Sequence, residues 1–189
     1  MTIFLQEAIR TSWLIFVVYW CISSFRLKPA AERQSISSSI PYRIPLAVGA
    51  ILLLVPEQVS PLNFILTPQT GTLRVIGSVI CVIGLLGAIW ARHILADNWS
   101  SNVTFRQGHE LIQSGPYRVA RHPIYTGLSL MSLGTAIAEG RLHSWLGFLI
   151  LCIGFWIKLK QEESLLLRHF RTEYPAYQAR VKALIPFLL

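Results

Sequence analysis

The sequence predicts an all-α integral membrane protein of five transmembrane helices, in which spans 4 and 5 form a helical hairpin and a cytosolic amphipathic helix follows. Three observations predict it. Of 189 residues, 53% are hydrophobic and 14% charged, a balance too apolar for an ordinary soluble domain. Apolar runs recur along the chain, several near the roughly 20 residues that cross a bilayer. Basic residues gather in alternate connections, as positive charge does on the cytoplasmic side of membrane proteins. The chain reads as a single domain 1–189, with spans 1 to 3 in 1–91 and a loop, the hairpin and the tail in 92–189.

The first span runs from about Thr11 to Phe25. Glu7 and Arg10 precede it and no small-residue cleavage site follows, so it reads as a retained helix rather than a signal peptide. The loop Arg26 to Ser39 is a polar, serine-rich connector. A weaker, short apolar segment follows, from about Ile44 to Val55, closed by Pro56. The remaining spans are Leu73 to Ile94, Pro123 to Ala138 and Leu142 to Ile157. Counting the weak segment as a span places 14 of the 17 Lys and Arg residues on one face, leaving Arg10, Arg74 and Arg141 opposite. That distribution sets five spans, with the N-terminus outside and the C-terminus in the cytosol.

Only Glu139, Gly140, Arg141 and their neighbours separate the last two spans, which predicts a tight antiparallel hairpin. Gly127, Gly134 and Ala138 on one helix and Gly147 and Gly154 on the other are candidates for close packing between them. Beyond the hairpin, the tail Lys160 to Arg180 carries Leu165, Leu166, Leu167, Phe170, Tyr174 and Tyr177 at spacings that suit an amphipathic helix on the cytosolic face. Cys21, Cys81 and Cys152 lie inside apolar runs and read as buried thiols, not disulfides. No metal-ligand spacing occurs. The formal charge of +8 is assigned to orientation in the bilayer and not to nucleic acid.

Chemistry concentrates between Gly108 and Tyr125, where His109, Glu110, Tyr117, Arg121, His122 and Tyr125 crowd together beside the fourth span. Pro123 suits the first turn of a helix, where its missing N–H costs nothing. A helix starting there turns unpaired N–H groups and a positive dipole end toward the cytosol, a place to hold a ligand carboxylate. Ser114-Gly115-Pro116-Tyr117 reads as a turn that folds His109 to Ile112 back toward His122. Blander readings stand beside these: Tyr117 and Tyr125 also suit interfacial anchors, Arg121 an orientation signal, and Lys158 with Glu162 an exposed pair one turn apart. His143 and His169 read as structural. The glycosylation-like Asn98-Trp99-Ser100 and Asn102-Val103-Thr104 fall on the cytosolic side and are set aside.

In succession, Asn98-Trp99-Ser100, Gly108-His109-Glu110-Leu111, Gly115-Pro116-Tyr117, Arg121-His122-Pro123-Ile124-Tyr125, Glu162-Glu163, Phe170, Tyr174, Tyr177 and Pro186 resemble the isoprenylcysteine carboxyl methyltransferase family over about residues 92–189. Five spans are similar to its short prokaryotic members, which implies a multi-pass protein of a prokaryotic cytoplasmic membrane. The resemblance implies an enzyme that transfers a methyl group from S-adenosyl-L-methionine to the carboxylate of a membrane-embedded, isoprenylcysteine-like acceptor, forming a methyl ester. It places cofactor contacts at His109, Glu110, Leu111, Ile112, Tyr117, His122, Pro123, Ile124, Tyr125 and Glu162. It gives Lys158 the acceptor carboxylate and Glu162 a cationic part of the cofactor, with Leu111, Ile112, Tyr117 and Tyr125 around the adenosine. The family usually carries arginine at the position of Lys158; lysine keeps the charge and drops the two-pronged fork. Besides membrane lipids and the lipid-like acceptor, no nucleic-acid or metal partner is expected. Three rival readings stand beside this one: a phospholipid or small-molecule N- or S-methyltransferase, an NADPH-dependent sterol-type reductase, and a non-enzymatic scaffold.

Overall fold

The computed structural model describes residues 2–24, 30–33, 36–56, 61–95, 104–106 and 111–184. Among them are six α-helices, α1 (Thr2–Ser24), α2 (Ile36–Leu54), α3 (Gly71–Leu95), α4 (Pro123–Glu139), α5 (Leu142–His169) and α6 (Glu173–Arg180). Two short strands, β1 (Ala30–Arg33) and β2 (Thr104–Arg106), add a feature that an all-α reading omits.

Among the described residues, three segments are long and apolar enough to cross a membrane, Ser37–Leu54, Gly71–Leu95 and Leu142–His169. The fourth helix is shorter, at 17 residues, and the first carries Glu7 and Arg10 near its start. Leu14, Val18 and Ile22 on α1, Ile44, Val48 and Ile51 on α2, Val79, Ile83 and Leu86 on α3, and Leu149 and Ile153 on α5 all face outward. So much exposed aliphatic surface is a liability in water and a solvated face in lipid. The chain is an integral multi-pass membrane protein.

Two helices extend beyond the apolar runs that announce them. The second begins at Ile36, well before the weak segment at Ile44, and accommodates Pro41 and Pro45 inside it. The polar loop expected to reach Ser39 therefore contributes its last residues to a helix. The fifth does not stop at Ile157 but continues through Glu162 and Glu163 to His169. The expected single tail helix over Lys160 to Arg180 is thus divided between the end of α5 and the short α6.

Backbone pairing sorts the connections into two ends. At one end β1 pairs antiparallel with β2, with Ala30 opposite Arg106 and Arg33 opposite Thr104. Ala120 and Lys182 form a parallel bridge at the C-terminal side of the chain. Arg121 N–H donates to the Lys182 carbonyl at 2.8 Å, and His122 N–H to that of Ala183 at 2.9 Å. The other connections meet elsewhere: Leu66 N–H donates to the Gly140 carbonyl at 2.8 Å, and the Gln69 amide to that of Glu139 at 2.7 Å.

The small residues do pack closely, but not across the hairpin as expected. Gly127 and Gly134 of α4 meet Gly84 and Gly77 of α3, and Gly147 and Gly154 of α5 meet Gly49 and Leu46 of α2. A Cβ at Gly84 would stand 2.5 Å from the Gly127 carbonyl oxygen, and one at Gly147 would stand 2.9 Å from that of Gly49. The turn at Gly140 fixes only the order of α4 and α5; backbone-to-backbone approach needs two facing stripes of small residues, and those lie on different helix pairs. Cys81 is buried in this packing, whereas Cys21 is exposed on α1, since an apolar run that faces lipid is not covered by protein; all three thiols are free. His143 is fully buried, its Nδ1 3.0 Å from the Leu52 carbonyl oxygen, as a structural histidine would be.

A bulky side chain forced into the α3–α4 contact is expected to destabilise the bundle by about 1–3 kcal/mol. Thermal melting in detergent of Gly84→Leu should fall well below wild type, while Gly87→Leu, where a Cβ meets nothing within 4 Å, should melt near it.

Candidate active site

At the end of the bundle where Lys182 meets Ala120, the start of α4 docks against α5. Pro116 and Tyr117 lie in a single 3-10 turn, Gly115–Arg118, entered through Gly115 at φ 57°. That positive φ is left-handed and suits glycine. The turn expected from Ser114 to Tyr117 is therefore present. It leads into His122, the N-cap of α4, and Pro123 opens the helix as its position predicts.

The turn buries Tyr117, whose hydroxyl approaches the Ala91 carbonyl at 3.4 Å and whose own carbonyl accepts from the Tyr177 hydroxyl at 2.5 Å. Burial pushes the Tyr117 phenol far above its ordinary range and that of Tyr177 up to about 12. Both therefore remain neutral donors at physiological pH. Ile112 packs against the cluster that contains Tyr117, Ile124 and Tyr125, and Leu111 is half-buried beside it in sequence. His109 and Glu110 lie outside the described residues.

Charged side chains from α4 and α5 interlock here. Arg121 donates from Nε and Nη2 to one oxygen of Glu163, at 2.8 and 2.6 Å, and from Nη1 to the carbonyl of Val181. Only 10% and 7% of these two side chains are exposed. His122 stands between the glutamates, its Nδ1 3.5 Å from Glu162 Oε2 and its Nε2 3.5 Å from Glu163 Oε1. The second of these is a charge contact, since Nε2 has no hydrogen-bond partner among the described residues. The Tyr125 hydroxyl donates to Glu162 Oε1 at 2.6 Å, and Lys158 Nζ lies 3.9 Å from the same oxygen. Three rings stack in series, His122 on Tyr125 at 5.6 Å and Tyr125 on Phe155 at 5.3 Å.

Of the residues singled out in sequence, Tyr117, His122, Pro123, Ile124, Tyr125, Lys158 and Glu162 are thus brought together or border the cluster. Lys158 and Glu162 do form a pair one turn apart, but with the lysine buried and the glutamate half-buried, because α2 and α4 pack on α5. Three partners were not assigned chemistry from sequence. Glu163 was visible only as a second acid beside Glu162. Arg121 read as an orientation charge, and Tyr42 of α2, whose ring lies 5.6 Å from Lys158 Nζ, carried no signal at all.

Chemically, two carboxylates with stacked rings suit a cationic ligand, and a buried lysine suits an anionic one. The fold and this cluster define an integral membrane protein with interlocked charged side chains at one end of its helical bundle. The chain belongs to the phospholipid methyltransferase family, whose model matches residues 73–173, just over half of it. It is also similar to a probable protein-S-isoprenylcysteine O-methyltransferase of Oryza sativa subsp. indica, 31% identical over 46% of this chain and 46% of that protein. The protein-S-isoprenylcysteine O-methyltransferases of Saccharomyces cerevisiae and Tribolium castaneum are 27% and 31% identical, each over 60% of this chain and over 49% and 41% of their own lengths. The matches span about half the length of these curated relatives.

Burial alone would push the His122 imidazole down, but hydrogen bonds and charge from Glu162 and Glu163 outweigh it and raise it above its ordinary 6.5. A raised value means that the folded state binds the proton more tightly. The stabilisation is therefore full below pH 6.5 and disappears as pH climbs through the raised value. The gap in melting midpoint between wild type and His122→Gln should narrow as pH rises through that window; a gap that widens would contradict the pairing.

Removing one member of a buried ion pair costs about 3–5 kcal/mol, whereas replacing both by apolar groups often costs far less. Arg121→Ala should accordingly melt lower than the double variant Arg121→Met/Glu163→Leu, as measured in detergent.

Proposed function

We propose that the chain is an S-adenosyl-L-methionine-dependent methyltransferase that esterifies the carboxylate of a lipid-modified, isoprenylcysteine-like acceptor. In this reading it crosses a prokaryotic cytoplasmic membrane five times, with the N-terminus outside and the site on the cytosolic face. The observation that supports it best is the convergence of Lys158 and Glu162, one turn apart on α5, with His122 and Tyr125 at the start of α4. The donor set fits the cofactor: its cationic groups call for carboxylates and ring faces, and Glu162, Tyr125 and His122 offer both.

When bound, S-adenosyl-L-methionine supplies a methyl group activated on a sulfonium. The protein's own work is orientation and exclusion of water. Glu162, braced by the Tyr125 hydroxyl, would face the cofactor's positive charge, while Leu111, Ile112, Tyr117 and Tyr125 would enclose its adenosine. Lys158, between the rings of Tyr42 and Tyr125, holds the acceptor's carboxylate. A carboxylate is already ionised at neutral pH, so no residue has to remove a proton from it. Opposite charges cancel as the reaction proceeds, so a water-poor niche built of rings and aliphatic chains favours transfer, with alignment providing much of the remainder.

The match of residues 73–173 to phospholipid methyltransferases favours a second reading, in which the acceptor is the amine of a phospholipid headgroup. An amine must lose a proton before it can attack, so its methylation rate rises with pH toward the amine's own value, whereas a carboxylate's rate is flat near neutrality.

Two measurements test the main reading together. In calorimetry Glu162→Ala should weaken S-adenosyl-L-methionine binding roughly tenfold or more, as expected for loss of a charged contact. Lys158→Ala should spare that affinity and raise the KM for S-farnesylcysteine. Unchanged cofactor affinity in Glu162→Ala, or the reverse pattern at Lys158, would remove these assignments.

A further inference from the structure

Tyr42 lies outside residues 73–173, in the half of the chain that the family match does not cover, yet its ring reaches the site. The antiparallel register of α2 on α5 brings it there. Gly49 faces Gly147, and a Cβ at Gly154 would stand 2.8 Å from the Leu46 side chain. One turn further along each helix, Tyr42 meets Lys158, whose Nζ lies 5.6 Å from its ring centroid and 5.5 Å from that of Tyr125. The tyrosine is only 2% exposed, and among the described residues its hydroxyl has no hydrogen-bond partner. A buried phenol left unpaired is costly, and a ligand is one of the few things that explain it.

We propose that the Tyr42 hydroxyl and the Lys158 ammonium jointly hold the acceptor carboxylate, one donor to each oxygen. This rests on the reading of a carboxylate acceptor given above. A carboxylate offers two acceptor oxygens, and an ammonium, unlike a guanidinium, is a point charge without a planar fork to engage both. The phenol supplies the missing prong. It also makes the site selective, because an acceptor without the carboxylate leaves the buried phenol without an acceptor.

The test uses the whole chain purified in detergent, with S-farnesylcysteine as acceptor. Tyr42→Phe keeps the ring and its packing, so its melting midpoint and S-adenosyl-L-methionine affinity should match wild type. Its kcat/KM should fall roughly 10- to 100-fold through KM, the worth of one hydrogen bond to a charged group. In a Lys158→Arg background the same change should cost less than about threefold, since the guanidinium reaches both oxygens by itself. An unchanged kcat/KM in Tyr42→Phe, or a loss of cofactor affinity in its place, overturns the role of Tyr42 and leaves carboxylate methylation standing. Wild-type protein that methylates phosphatidylethanolamine and not S-farnesylcysteine overturns both, and that assay alone separates the two failures.

Discussion

Glu163 is buried and its neighbour Glu162 half-buried at one end of a membrane bundle, and two adjacent carboxylates stay there only if each is met by donors. Successive residues on a helix point in different directions, so the two acids need two sets of partners. Glu163 turns toward Arg121 and His122. Glu162 turns toward Tyr125, His122 and Lys158. All but Lys158 come from a single short stretch around the start of α4. The height at which α4 begins is thereby tied to one turn of α5, and the site exists because that junction satisfies both acids.

What lets the helices approach at that height is the pairing of small residues. Glycines carry α4 onto α3 and α5 onto α2, close enough for backbone contact. The seam between α4 and α5 is left to larger groups, and there Tyr125 stacks on Phe155. Close glycine contacts thus build two rigid pairs, and the ring-lined seam between the pairs carries the polar cluster. The same register that seats Leu46 over Gly154 delivers Tyr42 to Lys158.

What the sequence made legible was local. Pro123 announced the start of α4, Ser114 to Tyr117 announced a turn, and the apolar runs announced the helices that face lipid. The helix ends were hidden where polar residues continue a helix past its apolar run, as Ser37 to Ser39 do in the first turn of α2 and Lys158 to His169 do after the span of α5. Partner choice was hidden too. Gly127 and Gly147 look equally suited to any neighbour, and only the three-dimensional arrangement assigns one to α3 and the other to α2. Arg121 carried the same signal as an orientation charge, and Tyr42 carried none. Their meaning lies in contacts across long stretches of chain, which composition and spacing do not encode.

The parallel bridge between Ala120 and Lys182, with the neighbouring amides of Arg121 and His122 bound to Lys182 and Ala183, has a consequence for biosynthesis. The residues that brace the loop before α4 leave the ribosome after all six helices. A nascent chain can therefore thread its apolar segments into the bilayer while His122 still lacks its backbone support. Insertion and completion of this backbone brace are separate events in time, and the second waits on a few residues beyond α6.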